Sequence, residues 1–141
     1  MKVVLDPGAK LPTKAHTADA GFDLYAPENM SAINLYSHDS AIIDTGVHMA
    51  IPSGYCGLIV AKSGLNMKQG ITVTGLVDEG FVGSIRVKLY RDDNYADHYT
   101  IEPGDKIAQI MILPVPQFEL EVVDALDETE RGNNGFGSTG R

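Results

Sequence analysis

The sequence predicts an all-β fold, a distorted jelly roll or β-sandwich with one short helical turn and a flexible C-terminal arm. Three observations predict it. Apolar residues recur at every second position through several short segments, the period of a half-buried strand. Two further runs are almost continuously apolar and too short for helices. Fifteen Gly and seven Pro among 141 residues leave no stretch with the period of a long amphipathic helix, and short strands with frequent turns favour a sandwich or jelly roll.

The elements follow in order. Val47, Met49 and Ile51 alternate with His48 and Ala50, which predicts a strand with one buried face. Pro52-Ser53-Gly54 supplies a turn, with a fixed φ beside a residue that tolerates positive φ. Tyr55 to Ala61 is a buried strand by its continuous apolar run. Ser63 is a good N-cap type, and Leu65 to Gln69 can make a turn or two of helix. Ile71 to Gly83 reads as a glycine-punctuated hairpin carrying Asp78. From Ser84 to Tyr90, Ile85, Val87 and Leu89 face one way and Ser84, Arg86, Lys88 and Tyr90 the other. Pro103-Gly104-Asp105 turns the chain into the last apolar run, Ile107 to Leu113. The character then changes: Asp124 to Glu130 is acidic, and Arg131 to Arg141 is rich in Gly, Asn and Ser. The expected division is a β domain over 1–123 and an acidic linker with a mobile arm over 124–141.

Composition narrows the function. A chain of this length fits one domain with its own core. Its net charge of -8 argues against wrapping a nucleic acid polymer, which needs a surplus of Lys and Arg. A single small anion in a local pocket is still compatible with it. The one cysteine, Cys56, allows no internal disulfide. It reads as a small buried hydrophobe, since no base near it in sequence suggests a catalytic thiol. Met1 to Lys10 lacks the apolar core of a signal peptide. Ile107 to Val115 is interrupted by Gln109 and Pro114, well short of the roughly 20 residues that span a bilayer. A cytoplasmic location without membrane attachment is the expectation.

Three segments carry the candidate chemistry. In the tail, successive glycines let backbone N–H groups converge on an anion. Ser138 and Thr139 add hydroxyls, Arg131 and Arg141 add guanidinium forks, and Phe136 is a ring with no core to join. These are parts of a lid over a nucleotide, although composition alone reads equally as a disordered end. No P-loop pattern is present. At Lys62-Ser63-Gly64 the alternatives are a capped turn or an anion at a helix N-terminus. Asp78 follows the apolar Leu76-Val77. It is either a turn aspartate or a carboxylate held against a water or a sugar hydroxyl.

Taken together, the segments resemble the homotrimeric deoxyuridine triphosphatase (dUTPase) family along nearly the whole chain. Five motifs stand in that family's order: Ala20-Gly21-Phe22-Asp23-Leu24-Tyr25-Ala26; Ala61-Lys62-Ser63-Gly64-Leu65; Gly75 to Gly83; Gly104-Asp105-Lys106-Ile107-Ala108-Gln109-Ile110; and Arg131 to Gly140. The resemblance implies a jelly-roll homotrimer with active sites between subunits, the tail of one chain covering a site built by the other two. It implies hydrolysis of dUTP to dUMP and pyrophosphate with Mg²⁺, which keeps uracil out of DNA and supplies dUMP for dTMP synthesis. Asp78 then matches the carboxylate that positions or deprotonates the attacking water. Lys62, Ser63, Gly64 and Gln109 match contacts to phosphate, and Arg131, Ser138 and Thr139 match contacts to the terminal phosphates. Phe136, with Gly137 beside it, matches the ring stacked on uracil. Gly75 and Val77 belong to the segment that reads the base edge, and Asp23 matches a carboxylate reaching the metal through water.

Three positions depart from that pattern. Phe81 stands for the usual Tyr against the deoxyribose, Lys62 for the usual Arg, and Val82 for a more usual polar residue. The Lys62 change turns a bidentate fork into a point charge. Two rival readings are a dCTP deaminase of the same fold and a binding or regulatory protein that has kept the fold. The deaminase needs a glutamate in the strand after Asp78, where this chain has Lys88. The binding protein has no need of Asp78 and an intact tail.

Overall fold

The structure is a computed structural model of the 141-residue chain; it describes residues 1–92, 95, 97–129 and 132. Among them are the strands β1 (Val3–Leu5), β2 (Phe22–Tyr25), β3 (Ile33–Leu35), β4 (Ser40–Asp44), β5 (Val47–Met49) and β6 (Tyr55–Val60). A single helix, α1 (Ser63–Gln69), follows. Then come β7 (Ile71–Thr72), β8 (Thr74–Val77), β9 (Arg86–Arg91), β10 (Tyr99–Ile101) and β11 (Lys106–Pro114). All pairings are antiparallel. They make a four-stranded sheet in the order β2-β11-β6-β8, a three-stranded sheet β4-β9-β7, and the two-stranded pairs β1-β5 and β3-β10. The all-β, jelly-roll-like architecture expected from the sequence is the one formed.

The alternation read from the sequence is the burial that the fold uses. On β9 Val87 and Leu89 are buried while Arg86, Lys88 and Tyr90 are exposed. Val47, Met49 and Ile51 are buried as well. They join Leu24, Leu35, Ile59, Ile101, Ile107 and Ile110 in one core between the sheets. Burying each such aliphatic side chain stabilises the fold by about 1.5–3 kcal/mol. Cys56 is buried on β6, as a small hydrophobe would be. No helix of the described residues is long and apolar enough to cross a membrane.

Three local expectations need correction. Ser63 does not cap α1. The cap is Lys62 in extended backbone, without a side-chain cap bond, so the helix is fixed from its other end. There Gly70 adopts φ 62° and donates its N–H to the last turn. A Cβ at Gly70 would lie 2.2 Å from the Tyr95 ring, so both the left-handed backbone and the close approach require glycine. Ile71 to Gly83 is not a hairpin. β7 pairs with β9, β8 pairs with β6, and the chain changes sheets at Val73 and again between Val77 and Arg86. Finally, β9 extends to Arg91, whose inward side chain is 5% exposed. Its guanidinium donates to the carbonyls of Leu35 (2.6 Å) and Gln69 (3.2 Å), and so places a cation at the negative end of α1.

Candidate active site

The crossing from β8 to β9 creates an open cavity of about 320 Å³. Gly75, Val77, Asp78 and Phe81, all expected site residues, line it together with Leu76, Ser84 and Arg86. β8 lies at the edge of its sheet, with β6 on one side only. Its backbone polar groups on the other side are therefore free to meet a ligand. Asp78 is exposed just past the end of β8. Gly80 turns the chain with φ 78°, and the Phe81 N–H lies 3.4 Å from the Asp78 carbonyl. The tip of the Phe81 ring approaches Gly83, where a Cβ would come within 2.6 Å of it. Glycine at 83 therefore leaves room for the tip of the ring, which lines the cavity.

The second group of expected residues gathers elsewhere. Gln109 on β11 pairs with Asp23 on β2 and with Val60 on β6. Its side-chain amide donates to the Ala61 carbonyl (3.2 Å), which sets it beside Lys62, Ser63 and Gly64. Ser63 and Gly64 are exposed, and a Cβ at Gly64 would meet nothing within 4 Å. Asp23 is 6% exposed. One of its oxygens accepts from Lys62 and the other from Lys106 at 2.7 Å. Burial pushes its carboxyl up, but hydrogen bonds and charge from Lys106 and Lys62 outweigh that and hold it below the ordinary carboxylate range. The same contact raises Lys106.

This lysine cluster was not visible in the sequence. Lys10 and Lys106 lie over the Tyr25 ring and Lys14 over Phe22. Only the strand pairing brings residues so far apart in the chain to one end of a sheet, so no local spacing could have announced them. Arg131, Phe136, Gly137, Ser138 and Thr139 lie outside the described residues. Lys88, the position that separates the deaminase reading, is an exposed lysine on β9 with its ammonium over the Tyr90 ring.

Among the described residues no three His, Cys, Asp or Glu converge on a metal. Asp23, both oxygens engaged by ammonium groups, cannot anchor a cation by itself. The donor set fits a magnesium that arrives bound to a polyphosphate and is reached through water, the mode in which Mg²⁺ leans on substrate phosphates.

Comparisons with known proteins converge on one family. The dUTPase family model matches residues 8–140. The deoxyuridine 5'-triphosphate nucleotidohydrolase of Leifsonia xyli subsp. xyli is 42% identical over 93% of this chain and 86% of its own length. That of Mycobacterium leprae is 40% identical over 98% and 92%. Among solved structures, the dUTPase of Staphylococcus bacteriophage 80alpha with dUpNHpp superposes with a TM-score of 0.89. It is 29% identical over 99% of this chain and 98% of that one. A dUTPase of phage phi11 of S. aureus, described with the coordination of a structural Mg(II) ion, gives a TM-score of 0.79 at 27% identity over 90% and 98%. By a match that runs almost end to end in both sequence and fold, this chain belongs to the dUTPase family.

Proposed function

We infer that this chain hydrolyses dUTP to dUMP and pyrophosphate. The observation that carries the reading is the cavity where Asp78, Phe81 and the free edge of β8 meet, in a chain whose relatives are named for this reaction. Water attacks the α-phosphorus and the bond to the bridging oxygen of the β-phosphate breaks. The Asp78 carboxylate orients the water and takes up its proton as the new P–O bond forms. Lys62, Ser63, the Gly64 N–H and Gln109 donate to the phosphate oxygens where charge builds up. Lys62 can serve Asp23 and a phosphate together, because an ammonium has three donors. Asp23 would hold the water shell of a bound Mg²⁺, which would supply further charge stabilisation on the phosphates.

Base choice falls to β8. Backbone N–H and C=O groups at Gly75 and Val77 pair with the uracil edge, and the cytosine edge would leave them buried and unpaired. Phe81 crowds a 2′-hydroxyl, without the phenol oxygen of the usual tyrosine.

The same reading makes the working unit a homotrimer. Asp78 lies beyond Val77, which pairs with Gly57, whereas Ser63 lies beyond Val60. The strand between Gly57 and Val60 alone spans roughly 10 Å, so the phosphate donors and Asp78 of one chain sit at opposite ends of β6. A neighbouring subunit is needed to bring one set to the other. Phe118, Leu120 and Val122 support association too. They alternate with Glu119 and Glu121 and are 82%, 97% and 99% exposed, a one-faced strand pattern with no partner among the described residues. The proposed domain unit is 1–123, with 124–141 as the arm. Arg131, Phe136, Gly137, Ser138 and Thr139 close over the nucleotide held by the other two subunits. A cytoplasmic location completes the reading.

The decisive assay is pyrophosphate release from dUTP compared with UTP, dTTP and dCTP, with and without Mg²⁺. Turnover confined to dUTP is expected, and ammonia released from dCTP would overturn the assignment.

A further inference from the structure

The crossing that carries Asp78 is fastened by two side chains from outside it. Glu79 accepts from the Gly54 N–H in the Pro52-Ser53-Gly54 turn. On the other flank the His48 ring lies between two acceptors. Its Nδ1 is 2.8 Å from the Val82 carbonyl oxygen and its Nε2 is 3.2 Å from an Asp6 carboxylate oxygen. A neutral imidazole has one N–H and can satisfy only one of them; the charged Asp6 carboxylate is the stronger acceptor and takes it, which leaves the Nδ1 lone pair facing the Val82 carbonyl, whereas the imidazolium satisfies both. Val82 is directly bonded to Phe81, and the next anchors along the chain are Ser84 to Asp44 and the Ile85 N–H to Val47.

We propose that His48 is a positioning residue for the Asp78 crossing: as an imidazolium bridging Asp6 and the Val82 carbonyl it holds the Phe81–Gly83 strap against β5, and it slackens the strap when it loses its proton. The inference rests on the dUTP reading for its kinetic consequence, but not for the clamp. Asp6, just after β1, and Asp44, ending β4, both favour the cation. Lys2 lines the same recess with the opposing charge, and Arg86 lies beyond Asp44. The Val82 bond, with Asp6 after it, raises the affinity of His48 for its proton above the ordinary histidine value. With the folded value raised, the clamp is complete below the ordinary histidine range and is lost as pH rises through the raised value. Phe81, adjacent to Val82, takes most of the effect, so substrate affinity moves more than the chemical step.

The test compares the wild-type chain with H48A and H48N from about pH 5.5 to 9. By NMR, the Gly83 amide, whose nitrogen is bonded to the Val82 carbonyl carbon, is expected to titrate with the His48 midpoint in the wild type. It should be flat in both variants. For dUTP, the wild-type KM should rise about three- to tenfold across that midpoint while kcat stays within about twofold, the size of one lost hydrogen bond. H48A should hold the high KM at every pH. H48N offers Val82 an amide donor that does not titrate, and should hold a lower, pH-independent KM. A Gly83 amide indifferent to His48, or an H48A variant whose KM follows the wild-type pH course, would overturn the proposal. Absence of dUTP turnover in the wild type would instead overturn the functional reading, and the NMR titration would still decide whether His48 clamps Val82.

Discussion

Two carboxylates stand at opposite ends of β6 in different surroundings. Asp23 is buried, and each of its oxygens is engaged by a lysine. Asp78 is exposed at the edge of an open cavity, just past the last residue of β8. The first is held in place by the fold: it neutralises two ammonium groups and orients Lys62 beside Ser63. The second makes no ion pair among the described residues, on a segment whose flanks are fastened while its centre lines the cavity. In a chain of net charge -8, Lys10, Lys14, Lys62 and Lys106 gather around Asp23 and its neighbouring rings at one end of a sheet, and Asp78 lies at the other end, across the cavity that Arg86 also lines.

The largest test of this contrast is Asp78→Asn. Turnover should fall by about 10²- to 10⁴-fold, the range for loss of a general base. dUTP binding by calorimetry and the melting temperature should stay near wild type; retained turnover would remove Asp78 from its role. Deleting residues 131–141 should cost about 10²-fold in turnover through lost phosphate donors and leave the thermal transition of the core in place. Equal activity in the shortened chain would end the lid reading. Replacing Leu120 and Val122 together with Ser should weaken subunit association by roughly 1.5–3 kcal/mol per side chain, read as a shift from trimer towards monomer by light scattering. The smallest effect is expected for Asp23→Asn, which leaves two lysines facing an amide and should destabilise the fold by about 1–2 kcal/mol. The sign with pH follows from the depressed carboxyl. Asp23 contributes its stability above the ordinary carboxylate range and loses it as pH falls through the lowered value. Acid denaturation of wild type and Asp23→Asn should therefore converge at low pH.

The sequence displayed more of the fold than of the site's wiring. Alternation in Val47 to Ile51 and Ser84 to Tyr90, and the apolar runs at β6 and β11, marked real strands because burial on one face leaves a local period. Glycines and β-branched residues in Ile71 to Gly83 reveal extended chain without revealing its partner, so the hairpin they suggest does not form. β8 pairs backwards with β6, a long-range choice made by packing. Ser63 looked like a cap by residue type, yet the helix is anchored at Gly70, where tertiary contact with Tyr95 decides. Asp78, Phe81, Lys62 and Gln109 were found as members of ordered motifs. Lys106, Glu79 and His48 carry no local signal because their contacts are with partners 83, 25 and 34 positions away in the chain.

The length of β6 has a genetic consequence. If one polypeptide cannot bring its own Ser63 to its own Asp78, each polypeptide lends its parts to different sites. An Asp78→Asn chain still donates a sound arm, and a chain lacking 131–141 still donates a sound Asp78. Refolded together, two inactive proteins should recover part of the wild-type rate. The same logic makes a damaged subunit in a mixed population harmful beyond its own share.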